Sequence, residues 1–117
     1  MFKASEPYWA DESESEDEHR ITDGPFMYRT KTGELLMLWS TFIKHKYAEC
    51  LVRFKNGELG MDFEHLDPII DNDGGHGMLF NDLEGNLVLT YHTPNLSLYE
   101  HPHFVAAEDV GDSIVIK

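Results

Sequence analysis

The chain has 117 residues, enough for one domain with a single hydrophobic core. Apolar residues make up 41% and charged residues 26%, a globular rather than a disordered balance. With 22 acidic against 9 basic residues the formal charge is −13; such a surface repels phosphate backbones and anionic headgroups, which argues against nucleic acid and membrane as partners and leaves neutral substrates and cations.

Residues 1–22 are read as an acidic loop and a lead-in strand. Seven acids (Glu6, Asp11, Glu12, Glu14, Glu16, Asp17, Glu18) follow one another without a base, so self-repulsion favours a solvated loop, with calcium binding as the alternative. The N-terminus has no apolar h-region, which predicts no secretory signal in this chain and leaves its compartment unknown. Residues 25–30 alternate and end at Lys31-Thr32-Gly33, a hairpin-type turn. Residues 34–41 read as a buried strand, and their apolar run 35–39 is far too short to span a bilayer. Residues 47–54 follow, closed by the strong turn signal Asn56-Gly57. A looser stretch runs through Asp67-Pro68 to Asp71-Asn72-Asp73-Gly74-Gly75. Residues 77–82, 86–93, 102–108 and 113–116 are further strands, and no long amphipathic helix is found. Cys50 is the single cysteine, so no internal disulfide forms; pairing between chains stays open.

Displacing the sequence by 52 residues lays Phe26-Met27-Tyr28 on Met78-Leu79-Phe80, Gly33 on Gly85, residues 34–37 on 86–89, Trp39 on Tyr91 and Thr41 on Thr93. A repeat of about fifty residues that holds four strands predicts propeller blades, here 23–66 and 75–116. The predicted fold is therefore all-β, about two four-stranded blades of a partial β-propeller. Two blades close no ring and leave apolar flanks, which predicts a homo-oligomer, a partner, or a piece of a longer protein. The alternative is a small β-sandwich with an accidental repeat.

These residues resemble the C-terminal part of the catalytic domain of glycoside hydrolase family 43, on Thr22-Asp23-Gly24-Pro25-Phe26-Met27-Tyr28-Arg29-Thr30, Gly33-Glu34-Leu35-Leu36-Met37-Leu38-Trp39-Ser40, Asp73-Gly74-Gly75-His76-Gly77-Met78-Leu79-Phe80 and His92-Thr93-Pro94-Asn95. The resemblance implies the last two of five blades, and a relation to arabinofuranosidases, β-xylosidases and arabinanases. These invert the anomeric centre with an Asp base, an orienting Asp and a Glu acid in Glu-Gly-Pro. Inversion needs acid and base on opposite faces of the sugar, with room for water.

The acid position matches Asp23, where this chain departs from Glu. Asp is one methylene shorter, about 1.5 Å of reach, and misplacement of about 1 Å can cost about 100-fold. The two Asp positions fall upstream of Met1, so the resemblance predicts a catalytic set incomplete in this chain. Read from the residues alone, Asp23 before Gly-Pro caps a turn. His76 falls on Gly24 in the repeat, beside Asp23; the resemblance implies that it lines the central channel, touches substrate and holds calcium or a similar ion, largely through water. No cofactor is required otherwise. A hydrogen-bonded turn histidine is the other reading of His76.

Trp9, with Tyr8, is free to meet a ligand, whereas the repeat places Trp39 and Tyr91 in the core. Residues 71–75 are a poor EF-hand start, and His101 with His103 shares one strand face, which suits a transition metal or plain surface chemistry. Where the family often carries Glu-Arg-Pro this chain has Glu100-His101-Pro102. Asn95-Leu96-Ser97 is a formal glycosylation sequon. The predicted partner is carbohydrate, arabinose- or xylose-containing glycans. The alternatives are a non-catalytic carbohydrate-binding or assembly module, or a hydrolase active only with missing blades from another chain.

Overall fold

The computed structural model describes residue 3, residues 6–8 and residues 22–117. Trp9 and the acids from Asp11 to Glu18 lie outside the described residues. Among the described residues there is no α-helix, and no helix is long and apolar enough to cross a membrane. The described residues form eight strands in two four-stranded antiparallel sheets. The first holds β1 (Asp23–Arg29), β2 (Leu35–Ile43), β3 (Lys46–Phe54) and β4 (Phe63–His65) in that order. The second holds β5 (Gly75–Asn81), β6 (Leu87–Thr93), β7 (His101–Asp109) and β8 (Ile114–Ile116).

The 52-residue repeat is a repeat of hydrogen bonds. In the first sheet Asp23 pairs with Ser40 and Phe26 with Leu38; in the second, Gly75 pairs with His92 and Met78 with Thr90. Both inner hairpins carry a β-bulge at the same place, between Asp23 and Phe26 and between Gly75 and Met78. The turns match as well. The Gly33 amide donates to the Thr30 carbonyl and the Gly85 amide to the Asp82 carbonyl, each at 3.0 Å. Both glycines have positive φ, 94° and 86°, a conformation L side chains rarely adopt. The third strands differ: β7 starts 55 residues after β3, because a longer loop precedes it.

Side-chain alternation then decides the packing. Phe26, Tyr28, Leu36, Leu38 and Leu51 face the second sheet and meet Leu79, Leu89, Tyr91, Ala107 and Ile114 in the inter-sheet core. The opposite face of the first sheet, with Leu35, Met37, Trp39, Cys50, Val52 and Phe54, is buried too. Burial on both faces explains the unbroken apolar run of β2. The expected apolar flank on the first blade is therefore covered, and the open face belongs to the second sheet, where Met78, Phe80, Phe104 and Val115 are exposed. Cys50 is fully buried, and burial pushes its thiol well above the usual range. The looser stretch after Asn56-Gly57 contains β4, which pairs with β3 through only three residues.

Candidate functional site

The two bulges bring the sequence-predicted residues together. Asp23 opens β1, and its Oδ1 accepts the Gly24 amide at 3.0 Å. Gly24 has φ +55° and His76, its repeat counterpart, has φ +58°. For a residue with a Cβ that conformation costs about 1–2 kcal/mol, so the surrounding structure must hold His76 in place. Its ring lies over Gly24, where a Cβ would sit 3.0 Å from His76 Cγ. Glycine is thus required at position 24 for close approach as well as for φ. His76 Nδ1 then stands 3.4 Å from Asp23 Oδ2, and both side chains are about half exposed, at 53% and 48%.

Behind this pair lie residues that sequence reasoning missed. Asp23, Ser40, Tyr47 and Glu49 share the face of the first sheet that looks at the second. The Tyr47 hydroxyl donates to Asp23 Oδ2 at 3.0 Å. Burial, then the bond to Asp23, push the Tyr47 phenol well above its usual range, so it stays a donor. Its ring stacks on His92 at 5.5 Å, and His92 stacks on His76 at 6.1 Å. Ser40 Oγ accepts the His76 amide at 2.6 Å and donates to Glu49 Oε2 at 2.9 Å. Glu49 is fully buried, and burial raises its carboxyl to about 7 against the pull of hydrogen bonds from Gly77, Ser40 and His76. The signal in the sequence was an acid in the middle of the apolar strand 47–54.

Other candidates have structural employment. Asp73 accepts the Tyr47 amide on Oδ1 at 3.0 Å and the Asn95 amide on Oδ2 at 3.2 Å, so it serves the loops rather than a calcium site. His101 and His103 stack face to face at 5.5 Å, with His103 also on Tyr91. Trp39 and Tyr91 are core residues, as their repeat positions predict. Tyr8 is exposed. A groove of about 350 Å³ runs from His76 past Met78, Thr90 and His92 to Glu100 and Pro102. Among the described residues no group of three or more His, Cys, Asp or Glu is placed to hold a metal ion. A hard cation wants six to eight oxygens, and what faces His76 is one carboxylate. An ion held at His76 would therefore take most of its shell from water.

No family model matches the chain, and no curated protein matches it either. Among solved structures it is similar to the endo-arabinase from Bacteroides thetaiotaomicron VPI-5482, at 39% identity and a TM-score of 0.74 over 89% of this chain. The match covers 38% of the arabinase, so this chain spans little more than a third of that protein's length.

Proposed function

We propose that this chain is part of a glycoside hydrolase-like β-propeller of the family 43 type, five-bladed when complete, acting on arabinose- or xylose-containing glycans with inversion. The 39% identity to an endo-arabinase over 89% of the chain carries this reading. Asp23 takes the general-acid position, His76 and Trp9 contact the sugar, and the remaining carboxylates come from further blades. Asp23 suits the role in one respect and strains it in another. It is half exposed at the β1 bulge, but its Oδ2 accepts Tyr47 and its shorter arm must reach the leaving oxygen.

The open face of the second sheet supports the need for further blades. Met78, Phe80 and Val88 lie 52 residues after Phe26, Tyr28 and Leu36, which pack on the neighbouring sheet. What covers the first set is then a third sheet with a face like that of Leu79, Leu89 and Tyr91, from a second copy or another chain. Hydrolysis assays on aryl arabinofuranosides, aryl xylosides and linear arabinan test the reading. The chain alone is expected to bind arabino-oligosaccharide by calorimetry, weakened in H76A, and to release no product. Turnover by the chain alone would refute its incompleteness; absent binding, with further blades supplied, would refute the carbohydrate reading.

A further inference from the structure

Residues 76 and 77 belong to a bulge whose amides have no place in the β5–β6 ladder, which pairs Gly75 with His92 and resumes at Met78. Unpaired amides at a buried bulge need acceptors. Both are supplied by the first sheet: the His76 amide donates to Ser40 Oγ, and the Gly77 amide donates to Glu49 Oε2 at 2.9 Å. The Ser40 hydroxyl donates in turn to the same Glu49 oxygen, so one carboxylate terminates both bonds. Glu49 also packs on the bulge itself, since a Cβ on Gly77 would stand 3.1 Å from Glu49 Cδ. The arrangement is not a general need of the repeat. Where the first sheet pairs Ser40 with Glu49, the second pairs His92 with Pro102. The first sheet's own bulge amide at Gly24 is satisfied locally by Asp23.

We propose that Glu49 is a positioning residue: through Ser40 and the Gly77 amide its carboxylate fixes the bulge that aims His76 at Asp23. Tyr47, two residues earlier on the same face of β3, holds the other member of the pair, so one strand of the first sheet sets both. The inference deepens the proposed glycan site and rests on that reading for its consequence, though not for its geometry.

The test is the imidazole and amide NMR spectrum of the full chain. In Glu49→Leu, which has no acceptor, the His76 ring signal and the amides of residues 76 and 77 are expected to move, while His101 and His103 stay. In Glu49→Gln, which keeps an acceptor oxygen, they are expected to return to their original positions. A folded Glu49→Leu chain with His76 unmoved would overturn the role, as would a Glu49→Gln spectrum displaced as far as that of Glu49→Leu. Should Glu49→Leu fail to fold, Ser40→Ala decides: a shifted His76 amide and ring support the role, and unshifted ones sink it. Adding arabino-oligosaccharide to the unaltered chain separates the two ideas. If His76 answers to Glu49 and, even with further blades supplied, not to sugar, the positioning stands and the carbohydrate reading falls.

Discussion

In the first sheet Leu36 and Leu38 are completely buried, whereas Val88 and Thr90, 52 residues later in the same register, are only partly so. The hairpins that carry them are built alike, down to the bulge and the glycine of the turn. Thr30 and Asp82 even perform the same task. The Thr30 hydroxyl accepts the Glu34 amide at 3.0 Å, and Asp82 Oδ1 accepts the Asn86 amide at 2.9 Å. That bond in particular holds the Asp82 carboxyl below its usual range. Backbone pairing and turn chemistry thus set the shape of a sheet, and what packs on it sets which residues are core. The first sheet is covered on both faces, the second on one.

Truncating matched side chains probes that difference most strongly. Leu36→Ala empties a fully buried position and is expected to cost about 3 kcal/mol in urea unfolding. Val88→Ala, on the open face, is expected to cost about 1 kcal/mol or less. Equal losses would mean that the second sheet's outer face is covered in solution.

The first sheet alone buries an acid, which makes its contribution depend on pH. Glu49 holds its proton up to about 7 in the folded chain, against an ordinary carboxyl value of 4.5. Between those values the folded state binds a proton that the unfolded state has released. Glu49 therefore favours folding most below the lower value, and that advantage is lost as pH rises through the upper one. Relative to Glu49→Gln, the unaltered chain should lose up to about 3 kcal/mol of unfolding free energy between about pH 4 and about pH 8. A flat difference would show that Glu49 is ionised throughout, its burial offset by the donors Ser40 and Gly77.

The open face of the second sheet should drive association. Phe80 and Phe104 meet edge to face at 6.3 Å and stay exposed. Burying one phenylalanine contributes about 2 kcal/mol. Phe80→Ser is then expected to weaken self-association by about thirtyfold, read by light scattering against concentration. A monodisperse monomer at micromolar concentration would leave a partner chain, not a second copy, as the occupant.

How much of this was legible in sequence follows from the range of each signal. Lys31-Thr32-Gly33, Asn56-Gly57 and the 52-residue displacement are local or periodic, and they place seven of the eight strands. β4 escapes because three residues show no alternation and owe their extended form to β3. The pairing of Asp23 with His76 was readable through the repeat, since equivalent bulges lie on adjacent inner strands. Ser40 and Glu49 were not, because their partners are amides 36 and 28 residues away that carry no side-chain signature. An acid within residues 47–54 announces a buried partner without saying which.

The smallest expected effect tests whether the two hairpins are alike as local structures. Gly33 and Gly85 both have φ in the left-handed range, and a Cβ built on either meets nothing within 4 Å. Alanine at these positions meets backbone strain without a clash, so each substitution is expected to cost about 1 kcal/mol. The two costs should agree, because the strain is set by the turn and not by what covers the sheet. A markedly larger loss at Gly33 would implicate its carbonyl, which accepts Arg29 Nη1 at 2.9 Å, a bond that ties the first turn to the Gly57 carbonyl through the same guanidinium nitrogen. In that case tertiary contact reaches down into the turn itself, and the likeness of the two hairpins ends at their backbone.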